Sequence, residues 1–135
     1  MNDRYEEIEH TADWALHVYG EDLEQLFRNA AFGMLALMGV SAAGRDRQEL
    51  TLELDAPDRE SLLVSFLEEI LFQLEARGLT AVQISFQNLT PEHVKAQLSC
   101  LPMDGIQKEI KAVTYHNLAI QNSGEGLETV IVFDV

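Results

Sequence analysis

Carboxylates stand at two places in this sequence where an ordinary solvated surface is not the obvious setting. The first is Glu9-His10-Thr11-Ala12-Asp13, a polar run between two short stretches of strand character. An aspartate there can end a strand simply by bonding a nearby backbone N–H. The second is Val130-Ile131-Val132-Phe133-Asp134-Val135, where one carboxylate follows four apolar residues. Strand alternation puts Asp134 on the face of Val130 and Val132, so its charge faces desolvation unless another group compensates or this end frays. The familiar catalytic strings are missing: the sequence has no Gly-rich phosphate loop, no G-x-S-x-G, no C-x-x-C and no H-E-x-x-H. Cys100 lies in an alternating apolar run and reads as a buried structural thiol. His17 and His93 read as packing or surface groups, and Glu6, Glu7 and Glu9 as a solvated strand edge.

The 135 residues carry 9 Lys+Arg against 23 Asp+Glu, a formal charge of −14. Non-specific nucleic-acid binding draws its affinity from Lys and Arg neutralising phosphates, so this balance argues against direct contact with nucleic acid. An anionic membrane surface repels the chain for the same reason. Cations and basic protein surfaces remain as partners. An apolar fraction of 47% beside 24% charged residues is that of an ordinary globule. Its length suits one core, and residues 1–135 are expected to form a single domain. One cysteine permits no intrachain disulfide, which fits a reducing cytoplasm, the expected location. Met1 to Glu7 has no apolar core of the kind a secretory signal needs, and the apolar stretch Phe32–Val40 is about half the length of a spanning helix.

The elements that must position these groups follow from periodicity. Tyr5 to Ile8 and Trp14 to Tyr19 read as strands, the second with Trp14, Leu16 and Val18 on one face. Asp22, with Gln25 three residues later, suggests a capping box. Leu23, Leu26, Phe27, Ala30, Ala31, Met34, Leu35 and Met38 then recur at helical spacing up to Gly39. Ser41 to Arg47 reads as a loop, and Leu50, Leu52 and Leu54 alternate as a strand. Asp58 caps a second helix with the stripe Leu62, Leu63, Phe66, Leu67, Ile70, Leu71 and Leu74, ended by Gly78. Strands follow at Val82–Phe86, Val94–Cys100 and Thr129–Val135, with turns at Asn88–Pro91, Pro102–Gly105 and Gly124–Gly126. Ile110 to Gln121 is ambiguous, with a bulge suggested near Tyr115–Asn117. The expected class is α+β: two helices packed on one side of a mainly antiparallel sheet, in a single two-layer domain.

Several strings resemble the archease family in combination and in order. They are Tyr5-Glu6-Glu7-Ile8-Glu9-His10-Thr11-Ala12-Asp13, Tyr19-Gly20, Asn29-Ala30-Ala31 with Gly33-Met34, and Leu62-Leu63 with Glu68-Glu69. Ile110-Lys111-Ala112-Val113-Thr114-Tyr115-His116-Asn117-Leu118 and Phe133-Asp134-Val135 complete the set. Trp14-Ala15 departs from the pattern, where a smaller aliphatic residue and often a glycine is expected. That alters packing beside Asp13 but leaves its carboxylate. The resemblance implies a small accessory protein, not an enzyme, for the GTP-dependent tRNA-splicing RNA ligase, promoting guanylylation and repeated turnover of that ligase. It also implies a divalent cation, calcium ahead of magnesium, held by Asp13, Asp134 and Val135, the last through its backbone or a terminal carboxylate. Lys111 and His10 are further functional candidates.

Asp13 and Asp134 stand 121 positions apart, so only pairing of the last strand near the first can join them. Two such charges about 4 Å apart repel by roughly 4 kcal/mol at an effective dielectric of about 20. A cation or protons must offset that repulsion. An all-oxygen donor set favours calcium or magnesium over zinc. Without a metal, His10 or Lys111 would pair with the aspartates instead. Two other functional readings stay open: a stand-alone metal-dependent phosphoester hydrolase, and a metal-stabilised chaperone-like binding module. The first lacks an obvious acid–base pair beyond His10 or His116, and the second rests only on the acidic surface.

Overall fold

The computed structural model describes residues 4–9 and 14–135. The elements run β1 (Tyr5–Glu9), β2 (Trp14–Gly20), α1 (Leu23–Leu37), β3 (Ser41–Ala42), β4 (Gln48–Asp55), α2 (Arg59–Arg77), β5 (Leu79–Thr90), β6 (His93–Gly105), β7 (Ala112–Val113), β8 (Gln121–Ser123) and β9 (Gly126–Asp134). This is the expected α+β arrangement of two helices on antiparallel strands, with the strands divided between two sheets. One has the order β1-β2-β9-β7, with β8 also pairing β9; in the other, β6 pairs β5 along one side and β4 then β3 along the opposite side.

Both helices start where the sequence places a carboxylate. Asp22 accepts the N–H of Gln25 at 2.8 Å and Asp58 that of Ser61 at 2.7 Å, each satisfying a donor that the first helical turn leaves free. The predicted capping box closes one residue early: the Gln25 amide oxygen takes the N–H of Glu21, not of Asp22. Gly78 ends α2 with a φ of 65°, the left-handed turn that glycine adopts without a Cβ clash.

The core lies between helices and sheets. Leu26, Phe27, Ala30, Ala31 and Met34 of α1 and Leu62, Leu63, Phe66, Leu67 and Ile70 of α2 are buried against Leu16, Val18, Ile131 and Phe133 of one sheet and Ile84, Val94, Ala96 and Leu98 of the other. Phe66 sits with its ring centroid 5.3 Å from that of Phe27 and 5.7 Å from that of Phe86. Arg28 of α1 donates to the Ile84 carbonyl and lies over the Phe86 ring, so part of β5 is covered by a side chain.

Two turn expectations give way to strand: residues 102–105 are the end of β6, and residues 88–90 are the end of β5, so that the turn there is Pro91-Glu92. β6 continues through Pro102 because the missing N–H falls in a gap between partners: β4 stops opposite Cys100 and β3 begins opposite Met103. The last strand starts at Gly126, three residues earlier than alternation suggested, and Ser123 faces Gly126 across the two-residue loop Gly124-Glu125. A Cβ at Gly126 would stand 2.3 Å from the Gly20 carbonyl oxygen, so the β2–β9 approach excludes any side chain there. Residues 115–117 form a turn rather than a bulge, with Leu118 N–H bonded to Tyr115 C=O and Asn117 at a φ of 53°.

His93 is a surface group with a specific task. Its Nδ1 lies 2.7 Å from Asp55 and its Nε2 3.2 Å from Glu53, tying the start of β6 to the end of β4. The hydrogen bond to Asp55, with the charges of Asp55 and Glu53, raises its pKa above the usual histidine value. A raised folded-state pKa stabilises the protein fully below the unfolded value and ceases to do so as pH climbs through the folded value. His93→Ala is therefore expected to lower the melting temperature near about pH 5.5 and to leave it unchanged near about pH 9. A deficit that is the same at both pH values would show that the imidazole acts by packing, not charge.

Candidate functional site

The site is built on the end of β9. Ile131 and Phe133 point into the core and are fully buried, so alternation sends Asp134 outward, where its side chain is exposed. The desolvation expected from the apolar run is therefore not imposed: Asp134 sits one residue beyond the buried stretch, with water on its side of the strand. Val135 follows with 40% of its surface exposed.

Two other segments converge on this strand end. β2 lies on one side, with Trp14 opposite Phe133. β7 lies on the other, with Ala112 opposite Asp134 and Val113 opposite Phe133. The Lys111 N–H donates to the Asp134 carbonyl at 2.7 Å, which sets Lys111 beside the strand end through its backbone. Among the described residues no ion pair joins the Lys111 ammonium to the Asp134 carboxylate. Lys108 lies with its ammonium 4.2 Å from the centre of the Trp14 ring, a cation–π contact that fixes a second positive charge to the start of β2. His10 and Asp13 lie outside the described residues; Asp13 is joined by one peptide bond to Trp14.

The donors at this end are oxygens, from the Asp134 carboxylate and the carbonyl of Val135, and such donors fit a hard cation. Among the described residues no group of three His, Cys, Asp or Glu side chains gathers at any one point.

The outer face of the same sheet carries a network that sequence reading did not find. The Tyr19 hydroxyl donates to His17 Nδ1 at 3.1 Å, and His17 Nε2–H donates to Glu128 at 2.8 Å. Glu6 approaches the same imidazole at 3.9 Å. A hydrogen bond from Ser123, then that from His17, holds the Glu128 carboxyl below its usual pKa, while burial and the charges of Glu6 and Glu128 push the Tyr19 hydroxyl upward. These side chains stitch β1, β2 and β9 together. The only signal for the pairing is the β2–β9 register, which sets Glu128 opposite Tyr19, two positions from His17.

A groove of about 820 Å³ lined by Glu6, Tyr19, Gln25, Asn29 and Leu127 lies toward the start of β9, the opposite end from Asp134. Cys100 is buried, and burial raises its thiol pKa, so it is the inert structural thiol that its strand pattern suggests. No helix among the described residues is long and apolar enough to cross a membrane.

Comparison with known proteins agrees with this architecture. The model of the archease protein family matches residues 5–135. The chain is similar to protein archease of Methanosarcina barkeri, with 32% identity covering 98% of this chain and 96% of that protein. Protein archease of Methanopyrus kandleri is 33% identical over 87% of this chain and 89% of its own length. Among solved structures, protein 1598 of Methanobacterium thermoautotrophicum superposes with a TM-score of 0.71 at 25% identity, covering 99% of this chain and all of that one. The crystal structure of an archease, possible chaperone, from Thermotoga maritima gives a TM-score of 0.72 at 22% identity, over 95% of this chain and 94% of that one, and so shares the fold. With the family model spanning nearly the whole sequence, the chain belongs to the archease family.

Proposed function

We propose that this protein is a non-catalytic accessory factor that activates a GTP-dependent tRNA-splicing RNA ligase, and that it does so with a divalent cation held at the end of β9. The supporting observation is the convergence of three distant segments there: Trp14 opposite Phe133, Ala112 opposite Asp134, and Lys111 bonded to the Asp134 carbonyl. Asp13, Asp134 and Val135 are the proposed ligands, with calcium preferred and magnesium the substitute. Calcium's flexible shell of about 6–8 oxygens suits an irregular set completed by water. When bound, the cation would offset the charge of the carboxylates that hold it and offer an electrophilic centre for the partner's phosphates. Asp134 supplies an outward-facing carboxylate on a strand fixed by two neighbours. The Lys111 N–H holds that strand end in place, and among the described residues the Lys111 ammonium forms no ion pair.

The accessory reading also fits the charge. A protein of net charge −14 is drawn to the basic surface that an RNA-handling enzyme presents, and such attraction speeds encounter. The ion is tested by melting the protein in Ca²⁺, in Mg²⁺ and in chelator. A ligand that binds only the folded state raises the melting temperature with concentration, by about 2.7 kcal/mol of stability at a hundred times its Kd. The expected result is a saturable rise in Ca²⁺ and a smaller one in Mg²⁺. Identical melting in Ca²⁺, Mg²⁺ and chelator would remove the ion from the proposal.

A further inference from the structure

An unassigned surface lies on α2, beside the strand end just described. Phe72 leaves 51% of its surface exposed, whereas Phe27, Phe66 and Phe133 are fully buried. Helical spacing surrounds it with Glu68, Glu69 and Glu75, at four and three residues before and three after. Glu109, just ahead of β7, is near enough to act on this face by its charge: partial burial, then the charges of Glu109 and Glu68, raise the Glu75 pKa. Glu68 also accepts the N–H of Val113, next to the residue that pairs with Asp134. The surface is thus continuous with the end of β9. Among the described residues no lysine or arginine forms an ion pair with any of these four glutamates.

A bare aromatic ring inside a rim of like charges is costly twice over: the ring is hydrated and the carboxylates repel one another. An arginine side chain relieves both, because its flat guanidinium stacks on the ring while its N–H groups reach carboxylates on either side. Lysine offers a point charge and does this less well. A second copy of this chain would bring four more carboxylates against these four, and an anionic lipid surface would repel them as well. Aromatic anchors ringed by polar groups are also where binding energy concentrates in protein interfaces.

We propose that the Phe72 face of α2 is a docking surface for a basic protein partner, which seats an arginine over the Phe72 ring between Glu68 and Glu75. That the partner is the ligase rests on the function proposed above; the chemistry of the surface does not. Two binding experiments separate them. In the first, ¹⁵N-labelled protein is titrated with a hexa-arginine peptide and with hexalysine. Amide shifts are expected to centre on residues 68–75 and 109, arginine is expected to bind more tightly than lysine, and Phe72→Ala is expected to weaken arginine binding at least about tenfold. Phe72→Leu, which keeps apolar area but lacks the ring, is expected to lose the preference for arginine. Shifts centred elsewhere, or affinity unchanged in Phe72→Ala, would overturn the proposal. So would a wild-type dimer in sizing experiments that Phe72→Ala dissolves, since the occupant would then be a second copy.

In the second experiment the intact ligase replaces the peptide. Weaker binding by Phe72→Ala supports the surface, and equal binding by wild type and variant overturns it while leaving the accessory role standing. A ligase that binds neither, beside a positive peptide result, removes the accessory role and leaves the surface.

Discussion

Asp134→Ala is expected to abolish stimulation of the ligase while the protein stays folded. The carboxylate is exposed at the end of β9, so its removal opens no cavity and strands no buried donor. The bond that orders this end runs from the Lys111 N–H to the backbone carbonyl of Asp134 and survives the substitution. Exposed positions of this kind shift stability by about 0.5 kcal/mol or less. The functional loss is expected to be large because a hard cation held by few protein oxygens loses much of its binding when one carboxylate goes. Melting curves report the fold and ligation assays report the stimulation. Wild-type stimulation by the folded variant would dismiss the proposed site, and Asp13→Ala is expected to match it in the ligation assay.

Phe66→Ala is expected to have the largest effect on stability. Phe66 is fully buried and packs between Phe27 of α1 and Phe86 of β5, so it joins both helices to the second sheet. Truncating a buried phenylalanine to alanine costs about 3–5 kcal/mol, the lost transfer energy plus the cavity left behind. Against a total of about 5–15 kcal/mol that is a large share, and it corresponds to a drop in melting temperature of roughly 10–20 °C. Chemical denaturation checks it directly. A loss below about 1 kcal/mol would mean that α1, α2 and β5 do not meet around this ring.

The elements that came cleanly from the sequence are those whose signal is local. Both helices were legible from their stripes and from Asp22 and Asp58, because capping and 3.6-residue periodicity are settled within a few residues. The α+β class followed from two one-sided helices and the run of alternating strands. What was not legible depends on partners far away along the chain. The division into two sheets, the continuation of β6 through Pro102 and the His17–Glu128 bond all depend on which strand lies alongside at which register. Asp134 illustrates the same limit within the site. Alternation placed it on the correct face but could not tell that the strand ends there in solvent. Phe72 was not singled out: it stands off the α2 stripe, where sequence alone cannot separate a docking residue from an incidental exposed side chain.

The convergence at β9 ties these points together. Phe133 anchors the strand in the core, Trp14 and Val113 flank it, and the next residue outward is the carboxylate on which the proposed function turns. The residue pattern fixed neither the junction nor its solvent exposure; pairing across more than a hundred positions makes both.

The measurement that tests the account most directly is the number of ligations completed per molecule of ligase, together with the fraction of ligase guanylylated, with wild-type protein, with Asp134→Ala and with neither, over a series of salt concentrations. Many rounds and full guanylylation are expected with the wild type alone, declining as salt rises and weakens the attraction between acidic and basic surfaces. Turnover that is the same in all three cases would contradict the account.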